Sequence, residues 1–304
     1  MIRFGVDLGG TKIEIVALDS HNKIVLRQRV DTPKGDYIAT LEAIVALVTD
    51  AEFILGCSGS VGIGIPGALS GKTGRVKNAN STWLIGEDLL ADLQHRLQRP
   101  VRIANDANCF ALSEARQGAA FGAQTVFGVI LGTGCGGGLV VNGQIINGVN
   151  SIAGEWGHNP LPWKLAIEHE VACYCGQKDC VETFLSGTGL ANRYHLTNNE
   201  NINALEIVGR MRRGDEKASR LMQRYYDWLA QGLAAVINLF DPEVIVLGGG
   251  LSQIHELYTE VPSRWSRWVF SDEVLTQLRA PQFGDSSGVI GAAWLWGEAD
   301  DVKI

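Results

Sequence analysis

Three glycine-rich turns, each following an apolar strand pattern, restrict the folds open to this chain more than any other feature. Asp7-Leu8-Gly9-Gly10-Thr11-Lys12 closes the run 2–8, Leu131-Gly132-Thr133-Gly134-Cys135-Gly136 follows 126–130, and Gly248-Gly249-Gly250 follows 244–247. One Gly-Gly pair between strands marks a tight hairpin and nothing more. Three of them at strand ends predict a cleft walled by bare backbone, where amide groups approach the phosphates of an extended ligand. In that reading Asp7 holds a Mg2+ counter-ion through water, while Thr11 and Lys12 supply a hydroxyl and a cation. Gly9, Gly10, Gly132, Thr133, Gly134, Gly248, Gly249 and Gly250 complete the candidate nucleotide contacts. The spacing fits neither the P-loop nor the dinucleotide fingerprint, and both families drop out.

Around the turns, hydrophobic periodicity predicts strands at 2–8, 12–19 and 23–30, a helix over 36–50 and a strand at 60–65. A related order returns with strands at 125–131 and 137–141, helices over 187–195 and 203–212, a long helix, and a strand at 243–247. The halves read as variations on one plan. In the long helix Ala218, Leu221, Met222, Tyr225, Leu229 and Leu233 recur at helical spacing, and the pattern stops before Asp241-Pro242. The expected domains are 1–118 plus 288–304, and 119–287, with 289–296 a helix returning to the first.

A second constellation lies mid-chain. His158 follows Gly154-Glu155-Trp156-Gly157, and Cys173, Cys175 and Cys180 fall within eight residues, beside Glu182. Cys3His is the usual composition of a closed structural zinc site. A disulfide or a reduced, inert cluster is the alternative, the disulfide disfavoured where nothing marks the chain as secreted. Metal binding would hold Glu155 and Glu182 near one point, and His158 could offer one nitrogen to zinc and the other to a substrate hydroxyl. Second-shell support or plain surface is the other reading of the two carboxylates. The segment 101–108 reads as a strand ending in Asn105-Asp106, followed by a helix over 109–117. Asp106 serves there either as a helix N-cap or as a base accepting a hydroxyl proton.

A chain of 304 residues with 46% hydrophobic content builds one large or two ordinary domains. A net charge of −7 without a basic run argues against nucleic acid as a partner. The first residues enter a strand pattern directly and no apolar stretch reaches membrane length, so a cytoplasmic location is expected and no membrane partner.

Together these residues resemble the ROK family, named for repressors, open reading frames and kinases. The likeness runs from Asp7–Lys12 through Gly134, Gly136, Gly138, Gly148, Gly154 and Gly157 to Glu182. It implies the hexokinase/actin ATPase superfamily: an α/β fold of two actin-like, ribonuclease H-like domains closing an interdomain cleft on a sugar and ATP. The resemblance gives the first two glycine turns to phosphate and the third to the nucleoside. It gives sugar hydroxyls to Asn80, Asn105, Asp106, Glu155, His158 and Glu182, with Asp106 the catalytic base, and structural zinc to His158, Cys173, Cys175 and Cys180. A homodimer is implied as well. His158 and Cys173 lie fifteen positions apart, more than in many members, with Pro160, Pro162 and Trp163 between them.

Lys77–Trp83, Gly157–Trp163 and Gly284–Gly288 look like the bacterial fructokinase, or manno(fructo)kinase, branch. The expected reaction is therefore transfer of the γ-phosphoryl of ATP to the 6-hydroxyl of fructose, with Mg2+. N-acetylglucosamine kinase and glucokinase are the alternatives within the family. A sugar-responsive repressor would need a helix-turn-helix, for which a motif starting at Asp7 leaves no room; Asp106 and the phosphate turns argue against a silent sugar sensor.

Overall fold

The computed structural model describes residues 2–166 and 168–297. Strands β1 (Ile2–Leu8), β2 (Lys12–Leu18) and β3 (Ile24–Asp31) form a meander, followed by helix α1 (Tyr37–Leu55) and strand β4 (Gly59–Ile65). A small hairpin of β5 (Ala68–Leu69) and β6 (Val76–Lys77) leads to α2 (Leu89–Leu97), β7 (Val101–Asn105) and α3 (Asp106–Arg116). The plan then repeats: β8 (Thr125–Leu131), β9 (Cys135–Val141) and β10 (Gln144–Ile145) precede α4 (Glu182–Leu185), α5 (Gly187–Asn198), α6 (Ala204–Arg212) and α7 (Glu216–Phe240). Strand β11 (Val244–Gly248), helices α8 (Leu257–Glu260) and α9 (Pro262–Trp265), strand β12 (Gln277–Arg279) and helix α10 (Ser287–Ala293) complete it.

Two five-stranded sheets result, ordered β3-β2-β1-β4-β7 and β10-β9-β8-β11-β12. In each, the first three strands are antiparallel and the last two join in parallel. The parallel strands are buried runs such as Val-Ile-Val-Leu in β11, as expected where both faces of a sheet are covered.

Helix ends differ from the sequence expectation where a cap overrides the apolar pattern. The helix expected over 109–117 begins at Asp106, because Asn105 is the N-cap and its side chain accepts from Ala107 and Asn108 N–H. The helix expected over 36–50 continues to Leu55 and stops at Gly56, which takes φ 65°. The returning helix expected over 289–296 is Ser287–Ala293, and the part of the expected first domain at 298–304 lies outside the described residues.

Helices α3 and α10 lie between the sheets, sharing a core with Val16 and Leu18 of β2, Val126 of β8 and Val246 of β11. Each fully buried aliphatic side chain of this kind contributes about 1.5–3 kcal/mol. The approach is close enough that a Cβ on Gly5 or Gly62 would strike the carbonyl of Val289 or Ala292, and one on Gly291 that of Cys109. Buried Glu114 ties the end of α3 to both segments that cross between the sheets. It accepts from Ala119 N–H at 2.8 Å, Gln282 N–H at 3.1 Å and the Ser287 hydroxyl at 2.8 Å. Among the described residues no helix is long and apolar enough to cross a membrane.

Candidate active site

Asp7 is the penultimate residue of β1, and the turn after the strand is closed by Gly9 N–H to the Lys12 carbonyl at 3.0 Å, while the Thr32 hydroxyl holds the Gly9 carbonyl at 2.8 Å. Asp106 begins α3 at the end of β7, where its Oδ1 accepts from Ala107 N–H at 2.8 Å. Both carboxylates face one cavity of 480 Å³, with Gly9, Gly10, Asn80, Trp83 and Gly249 also in its wall. Burial pushes Asp7 up to about 7, the charges of Asp106 and Glu14 adding to this and Arg29 opposing it. Burial likewise pushes Asp106 up to about 6, opposed by the Ala107 amide and reinforced by Glu155. Two buried acids facing one cavity, the charge of Asp106 raising the proton affinity of Asp7, make a site that favours a cation.

A second cavity, of 640 Å³, opens beside the β8–β9 turn and is lined by Leu131, Gly132, Thr133, Ala191, Leu205 and Gly250. Its walls come from two of the three predicted glycine turns. Gly187 N–H bonds the Gly132 carbonyl at 2.7 Å and the Thr188 hydroxyl bonds that of Thr133 at 3.0 Å, so α5 braces the turn. Gly249 takes φ 76° against the Leu131 carbonyl, a conformation and a closeness that require glycine. Gly248 lies elsewhere: it is buried against the Phe110 ring and lines neither cavity. Thr11 and Lys12 are exposed on their turn and also line neither.

Glu155 and His158 come from a short loop and 3-10 turn laid backbone to backbone on β9. A Cβ on Gly154 would meet the Gly137 carbonyl and one on Gly157 that of Cys135, which is why this segment is rich in glycine. Trp156 pins it, donating from Nε1 to the Gly136 carbonyl at 3.0 Å and packing edge-on to Phe127. Asn105 and Glu155 border a third, smaller cavity of 230 Å³, with Ala68, Leu69, Asn147 and Ala153. Glu182, at the start of α4, reaches under the β8–β9 turn and accepts from Cys135 N–H at 2.8 Å through Oε2.

His158, Cys173, Cys175 and Cys180 meet as the sequence predicted, their ligand atoms all within 4.8 Å of one another. His158 Nδ1 stands 3.6 Å from Cys173 Sγ, and Cys175 and Cys180 sulfurs are 3.6 Å apart. Four donors so placed can hold one metal ion. The other imidazole nitrogen, Nε2, turns away toward the Tyr174 hydroxyl at 3.0 Å. Burial, with the Glu182 and Glu155 charges adding, pushes that phenol up to about 12. The long connection between His158 and Cys173 packs on the outside: Trp163 stacks on Trp268, and Arg193, only 3% exposed, donates to the His169 carbonyl at 2.9 Å and the Thr183 carbonyl at 3.2 Å.

Lys34 and Ser81 also line the cavity of Asp7 and Asp106, and sequence reasoning passed over both. Ser81 lay within a segment singled out only for its branch likeness. Lys34 follows β3 in a Thr-Pro-Lys-Gly turn, and no residue pattern joins it to the Asp7 turn.

A doubled β-meander with an acid pair and glycine turns lining neighbouring strand-end cavities defines a class of two-sheet α/β proteins. The chain belongs to the ROK family, whose model matches residues 3–299. It is 42% identical over 297 residues to an N-acetyl-D-glucosamine kinase of Pectobacterium atrosepticum, covering 96% of this chain and 98% of that protein. The structure of a ROK hexokinase from Thermus thermophilus is similar with a TM-score of 0.88 at 30% identity, covering 99% of this chain and 100% of that one. A ROK glucokinase from Streptomyces griseus, in complex with glucose and AMPPNP, gives a TM-score of 0.76 at 30% identity, covering 97% and 99%. These relatives correct one expectation. The fructokinase reading drawn from segments 77–83, 157–163 and 284–288 is overturned by whole-chain identity to N-acetyl-D-glucosamine kinases.

Proposed function

We propose that this protein is an ATP-dependent hexose kinase acting on the 6-hydroxyl of N-acetyl-D-glucosamine. The observation that carries the reading is the 42% identity, across 96% of the chain, to a kinase of that name, joined to an ionisable Asp106 in the cavity wall opposite Asp7. An acetamido group needs space next to the sugar ring, and the 230 Å³ cavity beside Asn105 and Glu155 has small apolar walls and the amide of Asn147. Asn80, Asn105, Glu155, His158 and Glu182 would hold the sugar hydroxyls. The reading takes residues 1–118 with 288–297 as one domain and 119–287 as the other, the sugar and ATP lying between them.

Asp106 accepts the proton of the 6-hydroxyl as that oxygen attacks the γ-phosphoryl. With a pKa near 6 it is mostly ionised at pH 7 yet basic enough to take a proton, the range that suits a general base. The nucleoside lies in the 640 Å³ cavity with Gly132, Thr133 and Gly250, and the backbone of Gly10 faces the phosphates. The acid pair suits Mg2+, with Asp7 its holder; such an ion neutralises charge on the phosphates. Positioning then supplies most of the acceleration in a loose phosphoryl-transfer transition state. The Cys3His set suits structural zinc: sulfurs on a tetrahedral ion about 2.3 Å away lie about 3.8 Å apart, close to the 3.6 Å between Cys175 and Cys180. Such a site has no open position, so its work is to hold His158 and, through α4, Glu182.

The test is Mg2+-dependent ADP release from ATP with N-acetyl-D-glucosamine, followed by locating the phosphoryl group on the product. Release with phosphate on O6 supports the reading; release of none in metal-replete protein ends it.

A further inference from the structure

Tyr174 is a side chain of the metal segment to which the proposed function gives no role. It stands between Cys173 and Cys175 with 78% of its surface exposed, in a stretch otherwise committed to metal binding. Its hydroxyl lies 3.0 Å from His158 Nε2, and the two rings meet edge-on with centroids 5.1 Å apart. His158 Nδ1 is turned into the cysteine cluster, 3.6 Å from Cys173 Sγ, so Nε2 is the only ring nitrogen free to serve anything else.

A ring nitrogen of imidazole carries either one N–H or one lone pair, and so makes one in-plane hydrogen bond. Under the proposed function, on which this inference rests, that bond belongs to a sugar hydroxyl. Tyr174 and the sugar therefore want the same atom. We infer that Tyr174 gates the sugar site: its hydroxyl holds His158 Nε2 until a sugar hydroxyl displaces it, and the exposed phenol moves aside into solvent. Among the described residues the ring contact of Tyr174 is the edge of the His158 imidazole, and with 78% of its surface exposed little opposes that movement. Nor does displacement disturb the cluster, since the backbone of Cys173–Cys175 is fixed independently by Cys173 N–H to the Gln177 carbonyl at 2.8 Å and Gly176 N–H to the Cys173 carbonyl at 3.1 Å.

The gate exchanges one neutral hydrogen bond for another, so removing the hydroxyl should strengthen sugar binding by the net worth of one such bond, about two- to tenfold. Turnover should stay as it was, because the phenol has left before phosphoryl transfer. A merely structural tyrosine would not tighten sugar binding on losing its hydroxyl.

The experiment compares wild type with Tyr174→Phe, measuring N-acetyl-D-glucosamine Kd by calorimetry without nucleotide, then KM and kcat with Mg-ATP, and metal content of both proteins. The expected result is a fall of about two- to tenfold in Kd and KM, with kcat and metal content unchanged. An unchanged or raised Kd at equal metal content overturns the gate. Tyr174→Leu, which also removes the aromatic ring, should tighten binding as well; weaker binding there would make the ring a platform for sugar and overturn the gate too. Failure of the underlying reading is separate: wild-type protein that phosphorylates no hexose refutes the kinase, while sugar Kd values still decide the gate.

Discussion

The two five-stranded sheets share strand order and strand direction, yet the same turn in each carries different chemistry. In the first sheet the β1–β2 turn starts with Asp7, and the end of β7 adds Asp106. The corresponding β8–β9 turn of the second sheet, Gly132-Thr133-Gly134, contains no acid and borrows the carboxylate of Glu182 from α4, through the Cys135 amide. The connections differ likewise. One helix, α1, joins the meander to its parallel strand in the first sheet, whereas the second inserts the cysteine cluster and four helices before β11. A repeated scaffold thus yields matched turns, one starting from an acid and the other of bare backbone braced by an inserted helix. The comparison suggests where substitutions should be severe and where they should be mild.

The most severe should be Asp106→Asn, because Asp106 is the group proposed to take the hydroxyl proton. Turnover should fall by about 10²–10⁴-fold, while calorimetry should find sugar binding retained; near-normal turnover would remove Asp106 from its role. Next, Cys180→Ser or removal of the metal by chelation should raise sugar KM by about 10–100-fold with a smaller change in ATP KM, since the cluster holds His158 and α4. A sugar KM that does not move in metal-free protein would uncouple cluster from site.

The two turns can be compared directly by adding one methyl group to each. A Cβ at Gly134 would lie 2.8 Å from Glu182 Oε2, whereas one at Gly10 would meet only Ser81 Oγ at 3.6 Å. Gly134→Ala should therefore displace Glu182 and raise sugar KM by about tenfold, and Gly10→Ala should do less to sugar; equal effects would erase the distinction.

The smallest effects concern pH. Asp106 must be ionised to act, so kcat/KM should climb as pH rises through about 6 and level off above it. For stability the sign is opposite. Asp7 and Asp106 both have folded values above the ordinary 3.8, so the folded chain holds protons that the unfolded chain releases. Their stabilising effect is complete below the unfolded value and is lost as pH rises through 6 and 7. Asp7→Asn should accordingly raise Tm at pH 8 by about 2–5 °C, measured by calorimetry, and leave it unchanged at pH 4. A lower Tm at pH 8 would contradict the strained acid pair.

Much of this arrangement was legible in the residues. The strands at 2–8, 60–65 and 125–131 announce themselves as largely apolar runs stopped by glycine or proline, and the repeated plan follows from their order. The cysteine cluster was legible because its spacing is local. What escaped was set by contact between distant segments. Helix α2 has Leu89, Leu93 and Leu97 at helical spacing but was too short to stand out, and the two-residue strands β5 and β6 exist only through their mutual pairing. Lys34 joins the cavity of Asp7 only through the fold. Gly248 was grouped with two neighbours on sequence alone, although packing on Phe110 gives it a different task. The choice of hexose was read wrongly for a physical reason. In the proposed function the polar residues assigned to sugar hydroxyls suit many hexoses, while space for a substituent would depend on small walls such as Ala68 and Ala153.

Substrate preference therefore tests the account most directly. With saturating Mg-ATP, kcat/KM should be measured for N-acetyl-D-glucosamine, glucose, mannose and fructose on the same metal-replete protein. The account predicts the highest value for N-acetyl-D-glucosamine; a higher value for any of the other three would contradict it.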